Sequence, residues 1–211
     1  MSSAVIFDLD GTLWDCVENL IPSWQEVFEL HNLGTPPTAD DLYSLMGKTA
    51  PQFAEAMFPQ LTAQQGLEII EQQRQIELPY LAKMGGKLYA DVESTLDRLC
   101  KKYTLAIVSN CDSGYIETFL EHYGFGKYFS DWEFSGRTGM PKGHNIRLLM
   151  QRCGIDNAVY VGDTALDMEA AQDAGIPFIF AEYGFGNADS KYCIQSMSQL
   201  PQLADELLAK I

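Results

Sequence analysis

The run Val5-Ile6-Phe7-Asp8-Leu9-Asp10-Gly11-Thr12-Leu13 carries two carboxylates, two residues apart, at the end of a short apolar stretch, and then meets a glycine. A short apolar run reads as a buried strand. Residues two apart share a strand face, so Asp8 and Asp10 project together only while the strand persists. Gly11 breaks that geometry. The turn it permits lets one side chain, a backbone carbonyl and the other side chain point into one small volume. Carboxylates gathered so closely repel one another, and hard oxygen donors in a set this small suit Mg²⁺, which keeps several waters and takes one or two carboxylates. Two plainer readings stay open for this stretch: a solvated turn, and part of a calcium loop. The calcium pattern fits poorly, because its glycine and closing glutamate are replaced by residues such as Leu13 and Asn19.

The elements that would position these groups follow from periodicity. Val17, Leu20, Ile21, Trp24, Val27, Phe28 and His31 recur at helical spacing, which predicts an amphipathic helix from Asp15 to His31. After Pro36-Pro37, Thr38 caps a helix bearing Leu42, Leu45 and Met46, with Asp41 placed to complete a capping box. Gly47-Lys48-Thr49 is a turn, Pro51 opens a short helix through Met57, and Thr62 starts a long polar helix. Residues 16–85 therefore read as all-helical, and Gly85-Gly86 as a hinge.

Beyond Leu88 the pattern changes. Short apolar runs at Leu105–Val108, Ala158–Val161 and Pro177–Phe180, with an edge strand at Trp132–Phe134, alternate with helices. The helices span Asp91–Lys102, a segment capped by Asp112 or Ser113 and ending at Tyr123, Lys142–Cys153, 164–174 and about Met197–Lys210. Wholly apolar strands separated by helices predict a doubly wound, Rossmann-like parallel sheet in an α/β core. In such sheets the ligand crevice lies at the carboxyl ends of the strands. The polar residues of interest all fall there: Asp8 and Asp10 after the first strand, Ser109 and Asn110 after the second, and Asp163 after a later one. Asp167 lies one helical turn beyond Asp163, and Lys142 opens a helix that reaches the same crevice.

Composition bounds the partners. The chain has 211 residues, enough for a sizeable core and for two domains, and its 29 acidic against 14 basic residues give a formal charge of −15. That balance argues against nucleic acid, whose phosphate backbone is met by clustered Lys and Arg. The scattered, odd-numbered set Cys16, Cys100, Cys111, Cys153 and Cys193 fits reduced thiols in a cytoplasm rather than a disulfide framework. There is no basic leader ahead of the first strand, and no run approaches the ~18 apolar residues of a membrane span, so no membrane partner is expected. Composition leaves monomer and dimer equally open.

Asp8-Leu9-Asp10-Gly11-Thr12, the strand ending in Ser109, the separate Lys142 and Gly162-Asp163-Thr164-Ala165-Leu166-Asp167 occur in this order. By these four signatures the chain resembles the haloacid dehalogenase-like hydrolase superfamily over nearly its whole length. Its helical insert resembles the small cap of the phosphoglycolate phosphatase-like and β-phosphoglucomutase-like branch. The resemblance implies a catalytic core of 1–15 and 86–211 with an all-helical cap of 16–85 inserted after the first strand. It implies Asp8 as nucleophile, Asp10 as general acid/base, and Ser109 and Lys142 as phosphate contacts, with Asn110 beside them. Mg²⁺ would be held by Asp8, the Asp10 carbonyl and Asp163, with Asp167 acting through water. Gly143 stands after the lysine where many relatives have Pro.

Within that superfamily Asp10 narrows the chemistry, because relatives that cleave carbon–halogen or carbon–phosphorus bonds lack this second aspartate. The implied activity is a phosphatase acting on a small phosphorylated metabolite through an aspartyl-phosphate. A sugar phosphomutase is the alternative, and a non-catalytic interaction module a remote one. Lys48, in the turn between insert helices, is expected to contact the substrate and contribute selectivity.

Overall fold

A computed structural model describes residues 2–210. Its centre is strand β1 (Ser3–Phe7), whose residues 4–7 are fully buried. A strand apolar on both faces is stable only between two layers, and both layers are present. Val5 and Phe7 pack into one hydrophobic cluster, whereas Ala4 and Ile6 pack into another on the opposite face.

In chain order, β1 is followed by β2 (Trp14–Asp15) and four helices: α1 (Val17–His31), α2 (Ala39–Tyr43), α3 (Ala50–Met57) and α4 (Ala63–Met84). Then come β3 (Lys87–Leu88), α5 (Val92–Leu99), β4 (Thr104–Ser109), α6 (Tyr115–Tyr123), β5 (Asp131–Phe134) and α7 (Ser135–Thr138). The chain continues with α8 (Lys142–Cys153), β6 (Asn157–Gly162), α9 (Ala165–Ala174), β7 (Phe178–Ala181), β8 (Cys193–Ile194) and α10 (Leu200–Leu208). Six strands form a parallel sheet in the order β5-β4-β1-β6-β7-β8. Residues of α5, α6 and α10 join the cluster on one face, and those of α8 and α9 the cluster on the other. The expected doubly wound α/β core is therefore present, and β1 at its middle delivers Asp8 to the carboxyl edge.

The four helices of 17–84 lie between β2 and β3, which pair antiparallel with Trp14 opposite Leu88 and Asp15 opposite Lys87. This two-residue ribbon ties the outgoing and returning chain together. It also moves the start of α1 from the expected Asp15 to Val17, because Trp14 and Asp15 are taken into the ladder. Thr38 and Asp41 complete a capping box, as do Thr62 and Gln65, which fixes the starts of α2 and α4. Helix α2 stops at Tyr43, short of Leu45 and Met46. The expected Gly85-Gly86 hinge is pinned: Gly85 has φ +65°, and the Tyr123 hydroxyl both donates to the Gly86 carbonyl and accepts from its N–H.

Other boundaries moved for local reasons. Gly114, at φ +90°, caps α6 in place of Asp112 or Ser113, and Asp91, at φ +64°, sits outside α5. A 3₁₀ turn over Met197–Gln199 precedes α10. All five cysteines are free, and among the described residues no helix is long and apolar enough to cross a membrane.

Candidate active site

Chain reversal at Gly11 builds the first part of the site. Gly11 takes φ +75°, and a β-carbon there would strike the Asp163 carboxylate, so only glycine allows this approach of the first loop to the loop after β6. Asp8, Asp163 and Asp167 each bring a carboxylate oxygen within 4.8 Å of the other two, and all three are buried. Lys142, at the start of α8, reaches into the group: its Nζ lies 3.0 Å from Asp8 Oδ2 and 2.6 Å from Asp167 Oδ1.

One ammonium against three carboxylates leaves the cluster short of positive charge. Burial raises the Asp8 carboxyl well above its usual range; Lys142 opposes this, whereas Asp167, Asp163 and Asp10 add to it. Asp163 is pushed up to about 7 by burial and then by Asp167, against the backbone N–H groups of Phe185 and Gly186, which donate to its Oδ2. Burial alone would lower the Lys142 ammonium, but Asp167 and Asp8 hold it well above its usual range. Asp8 Oδ1 is buried and has no hydrogen-bond partner. An orphaned carboxylate oxygen inside a carboxylate cluster is costly, and a divalent cation is what would satisfy it. By that observation the residues present fit Mg²⁺.

Asp10 stands apart from the three. Its Oδ1 accepts from Trp14 Nε1 at 2.9 Å, the Tyr115 hydroxyl at 2.9 Å and Cys16 Sγ at 3.3 Å. Burial raises its carboxyl, against the pull of Cys16, Tyr115 and Trp14. The direction, which sequence left undetermined, is toward the protonated form. Tyr115, Trp14, Cys16 and the Thr12 hydroxyl, which donates to Asp163 Oδ1 at 3.3 Å, carried no signal as site residues in the sequence. Thr12 alone lay inside a recognisable motif.

Both residues expected to contact phosphate at the tip of β4 line one cavity. Ser109 is buried and lines the cavity beside Asp8. Asn110 also lines it, but its Nδ2 donates to the Gly47 carbonyl at 2.9 Å and its Oδ1 accepts from Ser135 at 2.9 Å. Asn110 thus holds the insert's turn onto the sheet edge. Lys48 follows Gly47 in that turn and lines the same cavity, half-buried. The cavity has room for about 110 Å³ of solvent and opens to the surface. Its floor is Asp8, Asp10 and Ser109, and its walls are residues of α1, α3 and α4.

A sequence profile described as haloacid dehalogenase-like hydrolase matches residues 5–181. A phosphoglycolate phosphatase from Aliivibrio fischeri is 30% identical over 199 residues, spanning 88% of this chain and 86% of its own. One from Agrobacterium fabrum is 29% identical over 197 residues, spanning 88% and 82%. In three dimensions a haloacid dehalogenase-like family hydrolase from Streptococcus pneumoniae superposes with a TM-score of 0.82 at 20% identity, covering 95% of this chain and 97% of that one. CbbY from Rhodobacter sphaeroides, solved in complex with phosphate, gives a TM-score of 0.81 at 16% identity, covering 97% and 100%. At these identities the two structures speak for the fold, and the profile for descent. The chain belongs to the haloacid dehalogenase-like hydrolase family.

Proposed function

We propose that this protein is a Mg²⁺-dependent phosphatase that hydrolyses a small-molecule phosphomonoester through an aspartyl-phosphate on Asp8. The observation that carries the reading is the division of labour between two neighbouring carboxyls: Asp8 is held by Lys142 inside the carboxylate cluster, whereas Asp10 is held outside it by neutral donors with its carboxyl raised. A nucleophile must be ionised and an acid protonated, and the two environments push in those directions once the cluster is neutralised.

Asp8 attacks phosphorus while the bond from phosphorus to the ester oxygen breaks, and Asp10 delivers its proton to that leaving oxygen. Asp10, now ionised, takes a proton from water as the water oxygen attacks the phosphorus of the aspartyl-phosphate; the bond to Asp8 breaks and inorganic phosphate departs. Lys142 and the Ser109 hydroxyl orient and neutralise the non-bridging oxygens. Asp8, Asp163 and the Asp10 carbonyl would hold Mg²⁺, with Asp167 acting through water, and the cation when bound offsets the repulsion between Asp8 and an anionic ester.

The segment 16–85 serves as a cap over the core formed by 1–15 and 86–211. Asn110 latches the cap turn and Lys48 is the cap's cation toward substrate. The free thiols agree with a cytoplasmic setting. Turnover of p-nitrophenyl phosphate with and without Mg²⁺ tests the reading: steady, Mg²⁺-dependent release of phosphate is expected. Release that stops within a few turnovers and resumes when a sugar phosphate is added would indicate a mutase, and no release at all would indicate a binding module.

A further inference from the structure

The wall of the cavity opposite the sheet has a chemistry the reaction does not use. Leu20, Trp24, Phe53 and Ile70 make it apolar and aromatic; Trp24 and Phe53 stack with ring centroids 5.4 Å apart. Set into this wall is Glu77 of α4, more than nine-tenths buried. Its Oε2 accepts from Gln73 Nε2 at 2.7 Å, and among the described residues no donor reaches its Oε1. The nearest cation on the same helix, Arg74, is already bound through two nitrogens to Glu71 and through Nη1 to the Ser113 carbonyl at 2.9 Å. Asp112 and Asp10 line the cavity as well. The pocket therefore offers carboxyl groups and aromatic rings to the leaving half of a substrate, and among the described lining residues its one cation free of an ion pair is Lys48, on the turn at the opposite side.

From this arrangement we infer that the ester is the phosphate of an amino alcohol, with its ammonium seated against Glu77 and the rings of Trp24 and Phe53. The inference rests on the phosphatase reading and names its substrate class. A carboxylate-bearing ester would bring a second anion toward Glu77 and Asp10 with no free guanidinium to receive it. A neutral alkyl ester would fill the wall but leave Glu77 unpaired. An ammonium satisfies the buried carboxyl and the aromatic faces together. Burial pushes the Glu77 carboxyl up to about 8, against the Gln73 amide and with some help from Asp10, which agrees with a site that stabilises the carboxylate only when a cation arrives.

The test is kcat/KM with Mg²⁺ on three esters of similar size: O-phosphoethanolamine, the isosteric n-propyl phosphate, and phosphoglycolate, with p-nitrophenyl phosphate as the activity control. The expected order is ammonium over neutral over carboxylate, with the ammonium ester favoured about 10–100-fold over the propyl ester, as one charge-assisted contact would give. Glu77→Gln, which keeps shape and the Gln73 contact, should bring that ratio close to one. Propyl phosphate or phosphoglycolate turned over as well as the ammonium ester would overturn the assignment, as would an unchanged ratio in Glu77→Gln. If that variant fails to fold, the order measured on the natural chain decides alone. Hydrolysis of p-nitrophenyl phosphate with no ammonium preference removes only this inference, whereas inactivity on every ester removes the phosphatase reading with it.

Discussion

Lys142 Nζ and Asp167 Oδ1 form a buried ion pair at 2.6 Å, and the other oxygen of the same carboxylate is occupied by the Thr164 N–H at 3.0 Å and the Thr164 hydroxyl at 2.6 Å. Both oxygens of Asp167 are thus engaged by protein donors, whereas Asp8 keeps Oδ1 free of any. Asp167 aims the lysine and closes the capping box of α9; direct coordination of a cation would require it to give up one of these partners.

Metal requirement follows from that difference. Asp163→Ala should raise the Mg²⁺ concentration needed for half-maximal activity far more than Asp167→Ala, whose larger effect should be on substrate KM through a loosened Lys142. Mg²⁺ titrations of both variants check this, and the reverse order would exchange the two roles.

Much of this site was legible because it is carried by short ordered motifs. Asp8, Asp10 and Asp163 follow strands that local apolar runs announce, Asp167 lies one helical turn beyond Asp163, and the capping box at Thr38 and the helix start at Thr62 are written within a few residues. The groups that hold Asp10 were not legible as a set. Tyr115 is 105 residues from Asp10, and the hydroxyl meets the carboxylate only because α6 packs beside the first loop. The ribbon of Trp14-Asp15 with Lys87-Leu88 and the edge strand Cys193–Ile194 span two residues each, too short to show a period. The tie of Asn110 to Gly47 bridges 63 residues of sequence and leaves no local mark.

Leaving-group dependence tests Asp10. Asp10→Asn should slow hydrolysis of an alkyl phosphate by about 10²–10⁴-fold and an aryl phosphate by much less, because a phenolate leaves without a proton. Single-turnover kinetics isolate the first step, and equal losses there on both esters would contradict the role.

Stability should carry the signature of Glu77. Its carboxyl has an ordinary value of 4.5 and is raised to about 8 in the folded protein, first by burial. Between those values the unfolded chain has released this proton and the folded protein retains it. Folding stability contributed by the group is therefore complete below pH 4.5 and lost as pH rises toward 8, at up to about 1.4 kcal/mol per pH unit. Urea unfolding of the natural chain and of Glu77→Gln at several pH values measures the difference. The variant should show a shallower decline, and parallel profiles would mean that Glu77 ionises normally.

Lys48 lines the cavity from the turn between α2 and α3 and is the cation proposed to face substrate there. Lys48→Ala should lower kcat/KM by about 10–100-fold for an ester whose leaving half carries a hydroxyl or other oxygen acceptor within its reach, consistent with one lost charge-assisted contact of ~1.5–3 kcal/mol. A small generic ester should lose much less. Steady-state kinetics on the two esters check this, and equal losses on both, or none, would return Lys48 to a purely solvated role.

The most direct test of the account is to trap the phosphoryl group on Asp8. Rapid quenching during turnover, followed by borohydride reduction, converts an aspartyl-phosphate to homoserine, which peptide mass spectrometry locates by residue. The account predicts homoserine at position 8, dependent on Mg²⁺ and substrate, and neither homoserine nor turnover in Asp8→Asn. Full activity in Asp8→Asn, or homoserine at position 10 in place of 8, would contradict it.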